Sequence, residues 1–156
     1  MRLIAEPRGV TRRRYCLTRE GAPVCEISFP TFGPSAASPI AGQTYRVRRV
    51  GALRARFTLE PERGGEPLAT LTQRDALRRD YMLAVGERRL DLRAESPLRS
   101  GYLLLENGRE VGAIRPSGTL RRGVAADLPD DLELAAGVFL LWVILLLWRG
   151  RRVTRA

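Results

Sequence analysis

Arginine carries most of the chemistry available to this chain. Arg46, Arg48, Arg54 and Arg56 stand at alternate positions on either side of Gly51, and alternate residues of a strand project to one face. A hairpin pairing symmetrically around Gly51 sets Tyr45 opposite Phe57 and Val47 opposite Ala55 inside, with Arg46 facing Arg56 and Arg48 facing Arg54 outside. Cross-strand neighbours lie about 5 Å apart, so like charges there repel by roughly a few tenths of a kcal/mol per pair. No acid occurs between Glu26 and Glu60 to relieve this locally. Two readings stay open: a solvated face neutralised by Asp91, Glu95 or another strand, or an anion site, since clustered positive charge recruits polyanions. Arg149, Arg151 and Arg152 form a second basic patch.

The remaining reactive groups exclude more than they offer. The chain has no histidine and two cysteines, Cys16 and Cys25. Zinc sites take about four nitrogen or sulfur ligands, and nucleophilic triads and dyads need an imidazole. The expectation is a protein that is not an enzyme and uses no metal and no cofactor. Arg63-Gly64-Gly65-Glu66 lacks the lysine and spacing of a phosphate loop and reads as a turn. If Leu17 pairs with Val24 around Glu20-Gly21, Cys16 and Cys25 face each other outside, within reach of a disulfide. Met1 to Leu17 contains no unbroken apolar stretch of a signal peptide, so reduced thiols in the cytoplasm are expected.

All 27 basic residues are arginine and the formal net charge is +10. GC-rich codon usage produces that choice as readily as selection for guanidinium chemistry does. The excess charge still predicts attraction to polyanions. Nucleic acid is not the expected partner, because the sequence offers neither a recognition helix nor an exposed aromatic stripe.

The elements that must position these groups are mostly strands. Leu53, Ala55, Phe57 and Leu59 alternate with Arg54, Arg56, Thr58 and Glu60, the pattern of a half-buried strand. Arg14 to Thr18, Val24 to Phe29, Thr44 to Val50, Leu68 to Leu71, Tyr81 to Val85, Leu90 to Ala94, Tyr102 to Leu105 and Val111 to Arg115 read likewise, broken by glycine, proline or charged turns. Residues 28–43 read as one irregular connection, and Gln73 to Asp80 as either a helical turn or a charged loop. Tyr15, Leu17, Gly21, Val24 and Ile27 recur at an offset of 87 as Tyr102, Leu104, Gly108, Val111 and Ile114. Each set describes one hairpin with its aromatic and aliphatic residues inward. Phe57, Leu59, Leu68 and Leu71 look like a third copy, and Tyr81, Leu83, Leu90 and Leu92 like a fourth.

The other element is the apolar run Leu134 to Trp148, preceded by Asp130, Asp131 and Glu133 and followed by Arg149, Arg151 and Arg152. A helix without a polar face is buried on all sides, in lipid or in protein. Its length of about 22 Å is short against a hydrocarbon slab of about 30 Å. A membrane span would also place the arginine-rich amino-terminal part across the membrane, against the charge rule. Asp130 is the expected N-cap, with Glu133 three residues on. About ten short strands with one apolar face need a filling, and this helix supplies one.

The chain resembles the tubby C-terminal-like superfamily, which includes phospholipid scramblases and LURP-one-related proteins. The likeness rests on Tyr15-Cys16-Leu17, Tyr102-Leu103-Leu104, Glu110-Val111-Gly112-Ala113-Ile114, and Leu128-Pro129-Asp130-Asp131-Leu132-Glu133-Leu134 running into Val138-Phe139-Leu140-Leu141-Trp142. It implies a mostly β fold: an antiparallel closed β-barrel of roughly 10–12 strands around a C-terminal central hydrophobic helix. The expected layout is one domain over residues 1–148, with strands in 1–115, a connecting segment 116–129, the central helix 130–148 and a basic tail 149–156. The resemblance also implies lipid, although it carries over no lipid site residue by residue. The functional expectation is therefore a binding module for anionic phospholipid or a membrane surface, through Arg46, Arg48, Arg54 and Arg56 with help from the basic patch at Arg149, Arg151 and Arg152. Its expected location is cytoplasmic, peripheral at the membrane. The alternative is a tail-anchored single-pass protein with residues 134–148 in the bilayer.

Overall fold

Short turns set the spacing of the strands. Glu20-Gly21, Ala41-Gly42 and Asn107-Gly108 each place two successive residues at positive φ (48° and 84°, 50° and 83°, 50° and 78°). These are the left-handed pairs of two-residue hairpin turns whose twist matches that of the flanking strands. The computed structural model of the protein describes residues 1–11, 13–31, 37–51, 53–75, 77–118 and 122–154, with 152–154 described by backbone alone. The strands are β1 (Arg2–Arg8), β2 (Arg14–Arg19), β3 (Ala22–Ser28), β4 (Ser38–Ile40), β5 (Gln43–Val50), β6 (Arg56–Pro61), β7 (Ala69–Asp75), β8 (Asp80–Val85), β9 (Arg88–Ala94), β10 (Tyr102–Glu106), β11 (Arg109–Ser117) and β12 (Gly123–Asp127), followed by α1 (Leu134–Thr154).

Every described pairing is antiparallel, and β1 pairs with β12, giving the order β3-β2-β1-β12-β11-β10-β9-β8-β7-β6-β5-β4. The two ends of that order, β3 and β4, meet along a seam where Ser38 Oγ donates to the Glu26 carbonyl oxygen at 2.7 Å. The result is a nearly closed antiparallel barrel of twelve strands, within the 10–12 expected from the resemblance and two more than the alternating pattern alone suggested. Its inside is apolar: Leu3, Leu17, Ile27, Leu59, Leu71, Leu83, Leu92, Leu104 and Ile114 are all fully buried. Ala135 through Leu145 of α1 are buried as well, and Trp142 is completely enclosed. Strands with one apolar face and a helix with no polar face satisfy each other.

The offset of 87 is structural. Tyr15 pairs with Ile27 and Tyr102 with Ile114, and each hairpin has a register irregularity at the same place, between Leu17 and Thr18 and between Leu104 and Leu105. That irregularity overturns the expected cysteine pairing. Cys16 lies opposite Glu26 and Cys25 opposite Leu17, and both thiols are free.

Further expectations are corrected. Residues 28–43 contain β4, and 116–129 contain β12, while β1 adds a strand before Arg14. Gln73 to Asp80 is divided among β7, a loop and β8. The helix begins at Leu134, with the Gly137 N–H donating to the Glu133 carbonyl at 3.1 Å, so Glu133 occupies the cap position assigned to Asp130. The Asp130 carboxylate instead pairs with the Met1 amino group, which also donates to the Leu128 carbonyl at 2.8 Å. The helix continues through Thr154, so most of residues 149–156 is helix and not tail. Arginine is a good helix former and complements the dipole at a carboxyl end, so nothing stops the helix at Trp148.

Candidate functional site

The arginine hairpin folds in a different register. Arg46 lies opposite Glu60, Val47 opposite Leu59, Arg48 opposite Thr58 and Val50 opposite Arg56, a slip of four residues from the symmetric pairing. Tyr45, Val47, Phe57 and Leu59 stay inside, as expected. The cause is a five-residue loop after Val50. Gly51 takes φ 91° with its missing Cβ directed 2.6 Å from the Arg54 carbonyl oxygen, so the chain cannot turn tightly there with a side chain. The slip replaces arginine facing arginine by ion pairs, Arg48 to Glu60 at 3.3 Å and Arg46 to Glu62 at 3.7 Å. Arg46 and Arg48 are therefore neutralised within the sheet, while Arg54 and Arg56 sit at the loop end. The four do not form one patch.

Strand direction assigns every loop to one of two mouths. At the mouth where α1 begins lie the Met1 amine with Asp130, Arg2 with Asp127 at 3.1 Å, and Arg88, which bonds Glu106 at 2.8 and 3.0 Å and Asp131 at 3.2 Å. Hydrogen bonds from Arg88 hold the Glu106 carboxyl below its ordinary range. Glu62, Glu66 and Glu133 add further acid here, and a cleft of about 400 Å³ opens between Tyr45, Glu66, Leu68, Val85 and Glu133. Among the described residues, no group of three or more His, Cys, Asp or Glu could hold a metal ion.

The opposite mouth, where α1 ends, is basic. Arg8 and Arg14 face each other across β1 and β2, both exposed, which is the like-charge contact expected of Arg46 and Arg56 but on another hairpin. Arg13, Arg54 and Arg56 are exposed at the same end and, like Arg8 and Arg14, make no ion pair among the described residues. The end of the helix is collared by aromatic rings. Arg149 lies 4.8 Å over the Phe29 ring and Arg151 donates to the Tyr102 hydroxyl at 3.1 Å. Arg79 lies 5.7 Å from the Tyr102 ring and donates to the Ser96 carbonyl at 2.5 Å. The Tyr81 hydroxyl beside them is pushed up to about 12 by burial. The side chain of Arg152 lies outside the described residues. Two of the acids at this end are occupied, Glu95 by Arg115 at 2.8 Å and Asp75 by Arg78 at 3.7 Å.

Val10, Leu53, Leu77 and Leu98 are 95–98% exposed, and all four sit in loops of the basic mouth. Leu53, read from the alternation as the inward start of a strand with Ala55, Phe57 and Leu59, is instead in the loop before β6, which begins only at Arg56. Val10, Leu77 and Leu98 belonged to no expected strand, yet a signal was there. Leu53-Arg54, Leu77-Arg78 and Leu98-Arg99 repeat one dipeptide in three successive loops of this mouth. Leu120-Arg121 continues the series in the sequence, outside the described residues. Period-two reading passes over Leu77-Arg78 and Leu98-Arg99 because they belong to no strand, and it absorbs Leu53-Arg54 into the strand that follows.

No protein-family model, curated protein or solved structure matches this chain.

Proposed function

We propose that the protein is a non-catalytic module that binds anionic phospholipid or a membrane surface through the basic mouth of its barrel, and that its architecture is of the tubby-like kind. The observation that supports this is the separation of charge along the barrel axis. Acids gather where α1 begins, and Arg8, Arg13, Arg14, Arg54 and Arg56 stand unpaired by any described acid where it ends. Guanidinium groups bind phosphate oxygens in a bidentate way, and each arginine near an anionic surface contributes about 1 kcal/mol. The Arg8 and Arg14 pair repels itself until an anion arrives, which favours the bound state. The expected place of action is the cytoplasmic face of a membrane. By length and composition α1 is able to cross a bilayer, the basis of the tail-anchored alternative. Burial of Ala135 through Leu145 favours the first reading, because the barrel already supplies the apolar surroundings the helix needs.

Co-sedimentation with phosphatidylcholine vesicles containing either no phosphatidylserine or about 30 mol% of it tests the proposal. Wild type should sediment only with the anionic vesicles, and the combined Arg13→Glu, Arg14→Glu, Arg54→Glu, Arg56→Glu variant should stay in solution. Binding that ignores lipid charge, or that survives those four reversals, defeats the reading. Membranes washed at alkaline pH should release the protein, whereas a tail-anchored form would resist.

A further inference from the structure

We infer that the basic mouth docks end-on into the bilayer, with Val10, Leu53, Leu77 and Leu98 inserting between the headgroups while adjacent arginines hold the phosphates. This rests on the proposed lipid reading and adds to it a geometry and an apolar component. A lone exposed leucine means nothing on a soluble protein. Here, among the described residues, the nearly fully exposed large apolar side chains are on four separate hairpin loops, all at the same end of the barrel. The two-residue turns of the acidic mouth, Glu20-Gly21, Ala41-Gly42, Gly86-Glu87 and Asn107-Gly108, carry none. Three of the tips are followed directly by arginine, Arg54, Arg78 and Arg99. An apolar tip beside a guanidinium matches the boundary layer of an anionic membrane, where acyl chain and phosphate lie within about 5–10 Å of each other. The tips are distributed around the mouth with positive charge between them, and do not form the contiguous apolar patch of a protein interface. Charge complementarity therefore selects the anionic bilayer as the occupant. The acidic mouth points away from it.

The test uses the full chain, vesicles of phosphatidylcholine with about 30 mol% phosphatidylserine, and a salt series ending near 1 M, where the screening length is about 3 Å. The variant combines Val10→Ser, Leu53→Ser, Leu77→Ser and Leu98→Ser. These side chains contact little, so its thermal melting should match wild type. Each withdrawn leucine changes a partition constant by about tenfold when fully inserted. Wild type should stay bound to these vesicles up to a higher salt concentration than the variant, whose partition at any given salt should be lower by about 100-fold or more. Bromine-labelled acyl chains should quench Trp148, which is half-buried at this mouth, in wild type and far less in the variant. Salt-sensitive binding by wild type with no quenching overturns insertion and leaves the electrostatic reading standing. Binding that ignores anionic lipid overturns that reading instead. A wild-type dimer in solution that the serine variant abolishes would mean that the tips meet a second copy, which also overturns insertion.

Discussion

At Gly112 the wall of the barrel has no slack. A Cβ there would run into the carbonyl oxygen of Asp127, and backbone cannot rotate out of the way. Gly137 on α1 is different, since its missing Cβ points at the mobile ends of Leu3, Leu128 and Met1 at 2.9–3.2 Å. Gly112→Ala should therefore destabilise the protein by about 1–3 kcal/mol, as forced overpacking does. Gly137→Ala should stay within about 1 kcal/mol of wild type, because the gain in helix propensity offsets the crowding. Thermal or urea unfolding of the two variants checks the contrast. Cys25 is equally constrained by its surroundings, its thiol being pushed up to about 11 by burial. That leaves it a weak nucleophile at neutral pH.

Strands are where the sequence is most and least informative. Paired aromatic and aliphatic residues such as Tyr81 and Leu83 against Leu92 and Leu90 announce their hairpins, and the structure pairs them as read. β12 is Gly-Val-Ala-Ala-Asp and β4 is Ser-Pro-Ile, too short or too small in side chain to show alternation, and β1 is broken to the eye by Glu6 and Pro7. These strands exist because the barrel needs partners for β2, β11 and β5, a tertiary demand that leaves no local trace. Register is harder still. A slip of one residue exchanges the faces of a strand, but a slip of four preserves them, so Tyr45 and Val47 point inward under either pairing. Only the loop at Gly51 and the acids at Glu60 and Glu62 distinguish the two. Arg48→Glu should accordingly cost about 0.5–1 kcal/mol by facing Glu60 with a like charge, and leave vesicle binding far less affected than Arg56→Glu does. The symmetric register would give the opposite ranking. For the site, the clustering of arginine was legible, whereas its location depended on which loops share a mouth, which follows from strand direction and not from proximity in sequence.

The whole molecule has no histidine, so its stability should be flat from about pH 5 to 7. The acid limb follows from Glu95, Glu106 and Asp130. Hydrogen bonds from Arg115, Arg88 and the Met1 amine hold their carboxyls below the ordinary 4.5, 4.5 and 3.8. A depressed carboxyl stabilises the fold above its unfolded value, so that contribution is lost as pH falls below about 4.5. The alkaline limb has the reverse sign. Cys25, raised from 9.0 to about 11, and Tyr81, raised from 10.0 to about 12, stabilise the fold while neutral and lose that contribution as pH climbs through this interval. Melting temperatures measured across pH should trace a plateau with these two shoulders, and a transition near pH 6.5 would contradict it.

Among the described residues the laced cylinder is weakest between β3 and β4, where the contact runs from Ser38 to Glu26 at the short strand that contains Pro39. Such an object splits along a line before it crumbles. Its earliest native-state excursion should be a parting of those lips, with deuterium entering residues 22–28 and 38–40 well before the β9–β11 staves on the far side, which have neighbours on both flanks. Proline and brevity at the rim also deny a passing chain any ladder to copy, so the fissure can flex without inviting fibrils.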